Sequence, residues 1–244
     1  MNFKQVHKIR GMLSFFECMF LNGLTRKTAL SFGDESVLCE IGSFCGKSTV
    51  CIASALTELN KGVLYAIDWH QGSPSLPGFN TDKYKSTYDE YLENLRRFGV
   101  GQRVTTIKKM SKDAADSIPS KIHFLWIDGD HEYETVKKDF EDYQGKLVGG
   151  GFLLFHDACW TGWEDPFRVI SEQVLDNPAY NFYGLMWNTM VFKKEANHTC
   201  GTIKYALRYL CPAVSGENRS LFKRMCSAIL LRITSLWTWI ACRP

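Results

Sequence analysis

The chain has 244 residues, 45% of them hydrophobic and 23% charged, with a formal net charge of +3. That is enough for one sizeable core with some chain to spare, and the composition is that of a folded protein rather than a disordered one. The charge is uneven: residues 196–244 carry seven Lys/Arg against the single acid Glu217, a net +6 that leaves −3 on the remainder and marks the last fifth as a different kind of segment.

The N-terminus, MNFKQVHKIRGMLSFFECMF, puts basic residues before an apolar stretch. Glu17 interrupts that stretch and no small-residue cleavage site follows, so an amphipathic packing helix is expected in place of a signal peptide. From there apolar runs of strand length alternate with helical stretches. VLCEIG (37–42) predicts a strand, KSTVCIASALTEL (47–59) a helix and GVLYAID (62–68) a second strand. A polar Gly/Pro/Ser loop (70–80) precedes a helix over 81–99, a strand over 104–109 and a short helix over 111–118. IHFLWID (122–128), YETVKKDFEDYQGKL (133–147) and GGFLLFHD (150–157) continue the alternation. A helix around 163–176 leads to NFYGLMW (181–187), a turn at Asn188-Thr189 and MVFKK (190–194). Strands apolar on both faces and separated by helices imply a doubly wound α/β fold, Rossmann-like, with ligands beyond the carboxyl ends of the strands. The last two strands are joined too tightly for a parallel crossover, so the seven-stranded sheet is expected to be mostly parallel and to end in an antiparallel hairpin.

The nine cysteines show no CxxC pair and no zinc-type Cys/His spacing. Cys39, Cys45 and Cys51 lie in or beside the glycine turn as small buried apolar residues, and a reduced, cytoplasmic chain is the simplest reading.

The stretch CEIGSFCGKS (39–48) is where a ligand is expected. A dinucleotide fingerprint needs G-x-G-x-x-G, but Phe44 stands in the place of the second glycine, which would admit a pyrophosphate. A Walker loop needs one residue more than Gly42-x-x-x-Gly46-Lys47-Ser48 supplies. What fits is a ligand with an adenosine and an amino acid but no phosphate. Glu40 and the 42–46 turn would meet the amino-acid end, Asp68 would accept from both ribose hydroxyls, and Met110-Ser111 would meet the adenine edge.

Those residues fall in longer motifs. E-I-G-S-x-x-G-K-S-T, A-I-D-W, I-D-G-D-H-E-Y-E-x-V-x-x-D-F and L-x-G-G-G-F-L-L-F-H-D resemble the class I S-adenosylmethionine-dependent methyltransferases, in order, over roughly residues 9–194. More narrowly they resemble the branch holding macrocin-type sugar O-methyltransferases and cephalosporin-hydroxylase-like proteins. The resemblance implies S-adenosyl-L-methionine as cofactor and O-methylation of a sugar or glycoconjugate. It places Glu40, Gly42, Ser43, Gly46, Ser48, Asp68, Trp69, Ser111 and Asp128 against the cofactor. In the sugar methyltransferases, matching acids hold a magnesium ion that orients two substrate hydroxyls; carried over, Asp128 and Asp157 would be its ligands. Here the third carboxylate of that pattern is replaced by His156, a poor magnesium ligand. Without a metal, His131 is the best base for the acceptor hydroxyl, with a supporting hydrogen bond to Asp128 or Asp157 as its alternative role. Asp130 reads as a turn former. The loop 70–80 with Tyr84 and Tyr88 would overlie the crevice; Trp69 would cover the adenine, and Trp160 and Trp163 could offer flat faces to an acceptor.

Residues 1–195 thus read as the methyltransferase domain and 196–244 as a basic, apolar helical appendage. From Met225 to Cys242 only Arg232 is charged. With Trp237 and Trp239 near its end this stretch suits an in-plane interfacial helix, or one packed on the domain or in a dimer contact. A small or lipid-linked sugar acceptor, membrane-surface contact through 216–244, a homo-oligomer and no nucleic acid are the partner expectations. The rival readings are a nicotinamide-dependent oxidoreductase and a non-catalytic Rossmann-like module at a membrane.

Overall fold

The computed structural model describes residues 1–72, 87–159 and 164–195. Seven strands form one sheet: β1 Val37–Ile41, β2 Val63–Ile67, β3 Val104–Ile107, β4 Ile122–Ile127, β5 Leu147–Phe155, β6 Tyr180–Met186 and β7 Thr189–Lys194. Their order is β3-β2-β1-β4-β5-β7-β6. The first five run parallel, and β7 is antiparallel to both β5 and β6. The doubly wound sheet with a terminal hairpin is therefore present.

The helices are α1 Phe3–Val6, α2 Phe15–Phe32, α3 Lys47–Leu59, α4 Thr87–Phe98, α5 Tyr133–Gln144 and α6 Asp165–Val169. Side chains alternate across the sheet. Leu38, Leu64, Phe124, Trp126, Phe152, Leu154 and Val191 pack with Leu21, Val50 and Ile52 of α2 and α3. Ile41, Ile67, Leu125, Ile127, Leu153, Phe155 and Phe192 face Val136, Phe140 and Val169 of α5 and α6. Both faces are covered, which is why the strands read as unbroken apolar runs. Cys18, Cys39, Cys45 and Cys51 are buried free thiols. Among the described residues no helix is long and apolar enough to cross a membrane.

Four expectations shift. The packing helix proper starts at Phe15, because Ser14 caps it: Ser14 Oγ accepts from Glu17 N–H, and Glu17 Oε2 accepts from Ser14 N–H at 2.9 Å. The short helix over 111–118 is two 3₁₀ turns, Ser111–Asp113 and Ala115–Ser117. The helix expected over 163–176 is α6 followed by a π-helical turn, Ile170–Val174. The hairpin turns at Trp187-Asn188, with Met186 paired to Thr189 and Trp187 at φ 55°. The loop 73–80, Tyr84, Trp160, Trp163 and the appendage 196–244 lie outside the described residues.

Candidate active site

The sheet's hydrogen-bond ladder runs one residue past the strands on the carboxyl edge. Gly42 N–H donates to Ile67 O (2.9 Å), Asp68 N–H to Ile107 O (3.2 Å), Asp128 N–H to Ile41 O (2.8 Å) and His156 N–H to Ile127 O (3.0 Å). Parallel register thus sets Gly42, Asp68 and Asp128 side by side at the mouth of one cleft of about 200 Å³, with His156 buried next to Asp128. Gly42 stands where no side chain fits: a Cβ there would lie 2.0 Å from Asp128 O. Its φ of 86° is also in the left-handed region.

The turn after β1 points its amides inward, as an anion-binding turn would. Their target is a side chain of the protein itself. Asp68 Oδ2 accepts from Ser43 N–H at 3.0 Å and Phe44 N–H at 2.7 Å, and Oδ1 accepts from His70 N–H at 2.7 Å. Phe44 holds φ 45° to make this contact. The carboxylate sits where a phosphate would have to be, and like charges exclude one another there. Lys47, whose position invited a phosphate-binding reading, is buried, and its Nζ donates to Gly11 O at 2.7 Å. Burial lowers its pKa. Arg10 bonds Glu90 Oε2 through Nε (3.0 Å) and a terminal nitrogen (2.7 Å), and its guanidinium lies 4.8 Å from the Phe44 ring centroid. These two cations make Arg10–Leu13 a wall of the cleft, a role the sequence pattern did not reveal.

At the other end stand the crevice acids. His131 Nε2 lies 3.0 Å from Asp157 Oδ2. His156 is almost wholly enclosed by carboxylates: Nδ1 is 3.1 Å from both Asp128 Oδ1 and Asp157 Oδ2, and Nε2 is 3.4 Å from Glu17 Oε1. Burial alone would strip its proton, but Asp128, Asp157 and Glu17 outweigh that and hold it well above the ordinary histidine range. Burial also opposes ionisation of Asp157, yet bonds from His131 and His156 leave its carboxyl well below the usual range. For Asp128 burial prevails over His156 and the carboxyl is raised. Glu17 reaches the cluster from α2 and also accepts from Thr189 Oγ1 at 3.2 Å. Nothing in the local sequence singles it out; Glu17 reads as a break in an apolar run because its partners lie on β5 and β7.

Gly42, Ser43, Ser48, Asp68, Trp69, Ser111, Asp128 and His131 line the cleft together with Asp157. Glu40 and Gly46 do not line it. Glu40 is fully buried beneath the turn, where Thr49 Oγ1 donates to it at 2.6 Å; burial pushes its carboxyl up to about 8 against the pull of the Ser48 and Thr49 hydroxyls. Gly46 begins α3 at φ 87° and backs onto Tyr91. The Trp69 indole N–H is bonded to Gly72 O. Asp130 Oδ1 accepts from His131 N–H at 2.7 Å, as a turn former does. Asp157 serves the two histidines.

Asp128, His131 and Asp157 each offer a ligand atom, all within 4.8 Å of one another. The set is nonetheless a poor match to magnesium, which prefers oxygen donors throughout. One of the three is a nitrogen, and His156 Nδ1 already rests on both carboxylates. Magnesium does not fit this set.

Comparison with known proteins agrees with this architecture. Residues 39–158 match a family model described as a methyltransferase domain. The chain is 38% identical over 95 residues to the uncharacterized protein R132 of Acanthamoeba polyphaga mimivirus, a match over 36% of this chain and 39% of that protein. It is 27% identical over 153 residues to the uncharacterized protein y4gI of Sinorhizobium fredii, over 59% of this chain and 15% of that one. The chain thus spans less than half the length of either curated relative. Among solved structures it resembles the O-methyltransferase NovP (TM-score 0.63, 14% identity, 76% of this chain and 82% of that one). It also resembles CalS11, a calicheamicin methyltransferase (0.58, 12%, 78% and 90%). A third likeness is an O-methyltransferase from Bacillus cereus in complex with SAH (0.58, 16%, 79% and 90%). Residues 39–158 thus carry the sequence pattern of a methyltransferase domain, and the fold is one that these solved methyltransferases share.

Proposed function

Starting from that methyltransferase domain, we propose that the protein is an S-adenosylmethionine-dependent O-methyltransferase acting on a hydroxyl of a sugar or glycoconjugate. The observation that carries the cofactor is Asp68 in the glycine turn. Its carboxylate occupies both amides that a phosphate would need, which favours a phosphate-free cofactor over a nicotinamide dinucleotide. A cleft lined by Asp68, Asp128, Asp130 and Asp157 also suits a ligand that carries positive charge. Its remaining lone pairs leave Asp68 able to accept from ribose hydroxyls as well.

When bound, the cofactor supplies a methyl group on a sulfonium and its own leaving group. The chain's task is to hold the acceptor oxygen in line and receive its proton. His131 is suited to that task. With Nε2 turned to Asp157, Nδ1 is the nitrogen on which the acceptor proton would be held, and Asp157 steadies the charge that results. His156, fixed by Glu17, keeps Asp157 and Asp128 in place. Met12 lines the cleft and is 62% exposed, so an acceptor with an apolar portion is favoured. The O-methyltransferases of similar fold support transfer to oxygen, and the sugar rests on the motif resemblance.

The test is transfer of labelled methyl from S-adenosylmethionine to a panel of hydroxylated sugars and glycolipids. His131→Gln is expected to lose transfer by roughly 10²- to 10⁴-fold while binding S-adenosylhomocysteine as the wild type does. Unchanged transfer in that variant would remove His131 from the chemistry and favour a supporting role.

A further inference from the structure

An apolar lip borders the cleft, and the transfer reaction calls on Met12 alone of it. Six large apolar side chains are exposed among the described residues, and four of them, Met12, Phe16, Met19 and Trp187, gather on one side of the cleft mouth. Met12 lines the cleft itself. Phe16 (61% exposed) and Met19 (39%) follow on α2, three residues apart and so on one face. Trp187 (55%) sits in the turn of the β6–β7 hairpin. The two elements meet at the carboxyl edge of the sheet: Thr189 Oγ1 donates to Glu17 Oε1 at 3.2 Å, and Ala158 N–H donates to Asn188 O at 3.0 Å. The lip is also basic. Residues 1–32 hold Lys4, Lys8, Arg10, Arg26 and Lys27 against the single acid Glu17, which is buried in the crevice. Arg10 and Arg26 pair with Glu90 and Glu58, while Lys4 and Lys8 are exposed. The Phe15 ring holds their segment at the start of α2, its centroid 6.3 Å from that of Phe3 and 6.2 Å from that of His7.

We propose that this lip is a membrane-docking surface, on which Phe16, Met19 and Trp187 enter the headgroup layer of an anionic bilayer and Lys4 and Lys8 meet its phosphates. Charge selects that occupant. A second copy seated on the same lip would set two net-positive segments against each other, whereas a layer of anionic headgroups neutralises them. Aromatic and methionine side chains flanked by lysines supply what an interfacial contact requires, apolar area to insert and cations to attract. Docked in this way, the cleft opens onto the headgroups, and a hydroxyl carried on a lipid reaches His131 without its chain leaving the bilayer. The contact belongs to the domain itself, separate from any made by residues 216–244, and it does not depend on which cofactor the cleft holds.

The experiment is sedimentation of the full chain with vesicles of phosphatidylcholine alone and with vesicles in which a quarter of the lipid is phosphatidylglycerol. Wild type is expected to partition onto the anionic vesicles roughly tenfold better than onto the neutral ones, and to lose that preference in high salt. Phe16→Ser/Trp187→Ser should lower partition onto the anionic vesicles by roughly tenfold or more, with melting temperature and S-adenosylhomocysteine affinity as in the wild type, since both side chains are exposed and neither lines the cleft. Lys4→Gln/Lys8→Gln should bring the two kinds of vesicle closer to equal. Partition of the Phe16/Trp187 variant equal to that of the wild type would overturn the inference and leave binding to another part of the chain. Wild type that ignores both kinds of vesicle would overturn it as well. So would a wild-type dimer in gel filtration that Phe16→Ser/Trp187→Ser dissociates without any change in vesicle binding, because the occupant would then be a second copy.

Discussion

His156 links three elements of the crevice, and its neighbours give the sharpest tests at the scale of single residues. Glu17→Gln preserves the capping box, since glutamine serves at that position as well as glutamate. It removes the negative charge facing His156 Nε2 and, with its one oxygen kept on Ser14 N–H, turns an amide NH2 toward that nitrogen and Thr189. Transfer is therefore expected to fall about tenfold, the worth of one charge-assisted bond, with S-adenosylhomocysteine affinity unchanged; the measurement is a kcat comparison beside a binding titration. Glu40 gives a stability test. Its folded pKa of about 8 lies above the ordinary 4.5, so between those values the folded state holds a proton that the unfolded chain releases. Stability from this group is then lost as pH rises from about 4.5 through 8. Glu40→Gln should remove that loss, and thermal melts at pH 5, 6.5 and 8 should show the variant gaining on the wild type with each step up. A constant difference across that range would contradict the assignment.

Elements were largely legible because period and turn chemistry agree along most of the chain. Helix α3 follows the sequence reading at both ends, Lys47–Leu59, since Gly46 and Asn60 mark its limits. The departures have local causes. Ser111–Ser117 is rich in residues whose side chains compete for backbone bonds, and the chain tightens into 3₁₀ turns. The hairpin slips by one residue because Trp187, not a glycine or asparagine, takes the left-handed position. Site residues that end strands were legible for the same reason: Asp68, Asp128 and Asp157 each close an apolar run. Glu17 and Arg10 were not, because Glu17 reaches the crevice from α2 and Arg10 from the segment between α1 and α2. Gly42 packs against the Asp128 backbone, which a Cβ there would meet at 2.0 Å. Gly42→Ala is expected to lower the melting temperature by more than about 5 °C, from clash and left-handed strain together, and to abolish binding of S-adenosylhomocysteine. A thermal melt and a titration check it.

The whole molecule joins an open sheet edge to an N-terminal wall, and that wall is held from two sides. Lys47 grips Gly11 O and Arg10 grips Glu90, so the segment before α2 belongs to the cleft as much as to the N-terminus. Lys47→Met should weaken S-adenosylhomocysteine binding by roughly tenfold and expose residues 1–13 to protease, which limited proteolysis read by mass spectrometry will show. Equal cleavage in wild type and variant would mean the wall stands without Lys47. The central claim is that Asp68, by filling the glycine turn, turns a Rossmann-like cleft from phosphate-bearing cofactors to S-adenosylmethionine. Its most direct measurement is calorimetric titration of the purified protein with S-adenosylhomocysteine and with NAD, each with and without magnesium. The account predicts one-to-one binding of S-adenosylhomocysteine, indifferent to magnesium, and no heat from NAD. Binding of NAD with silence from S-adenosylhomocysteine would contradict it.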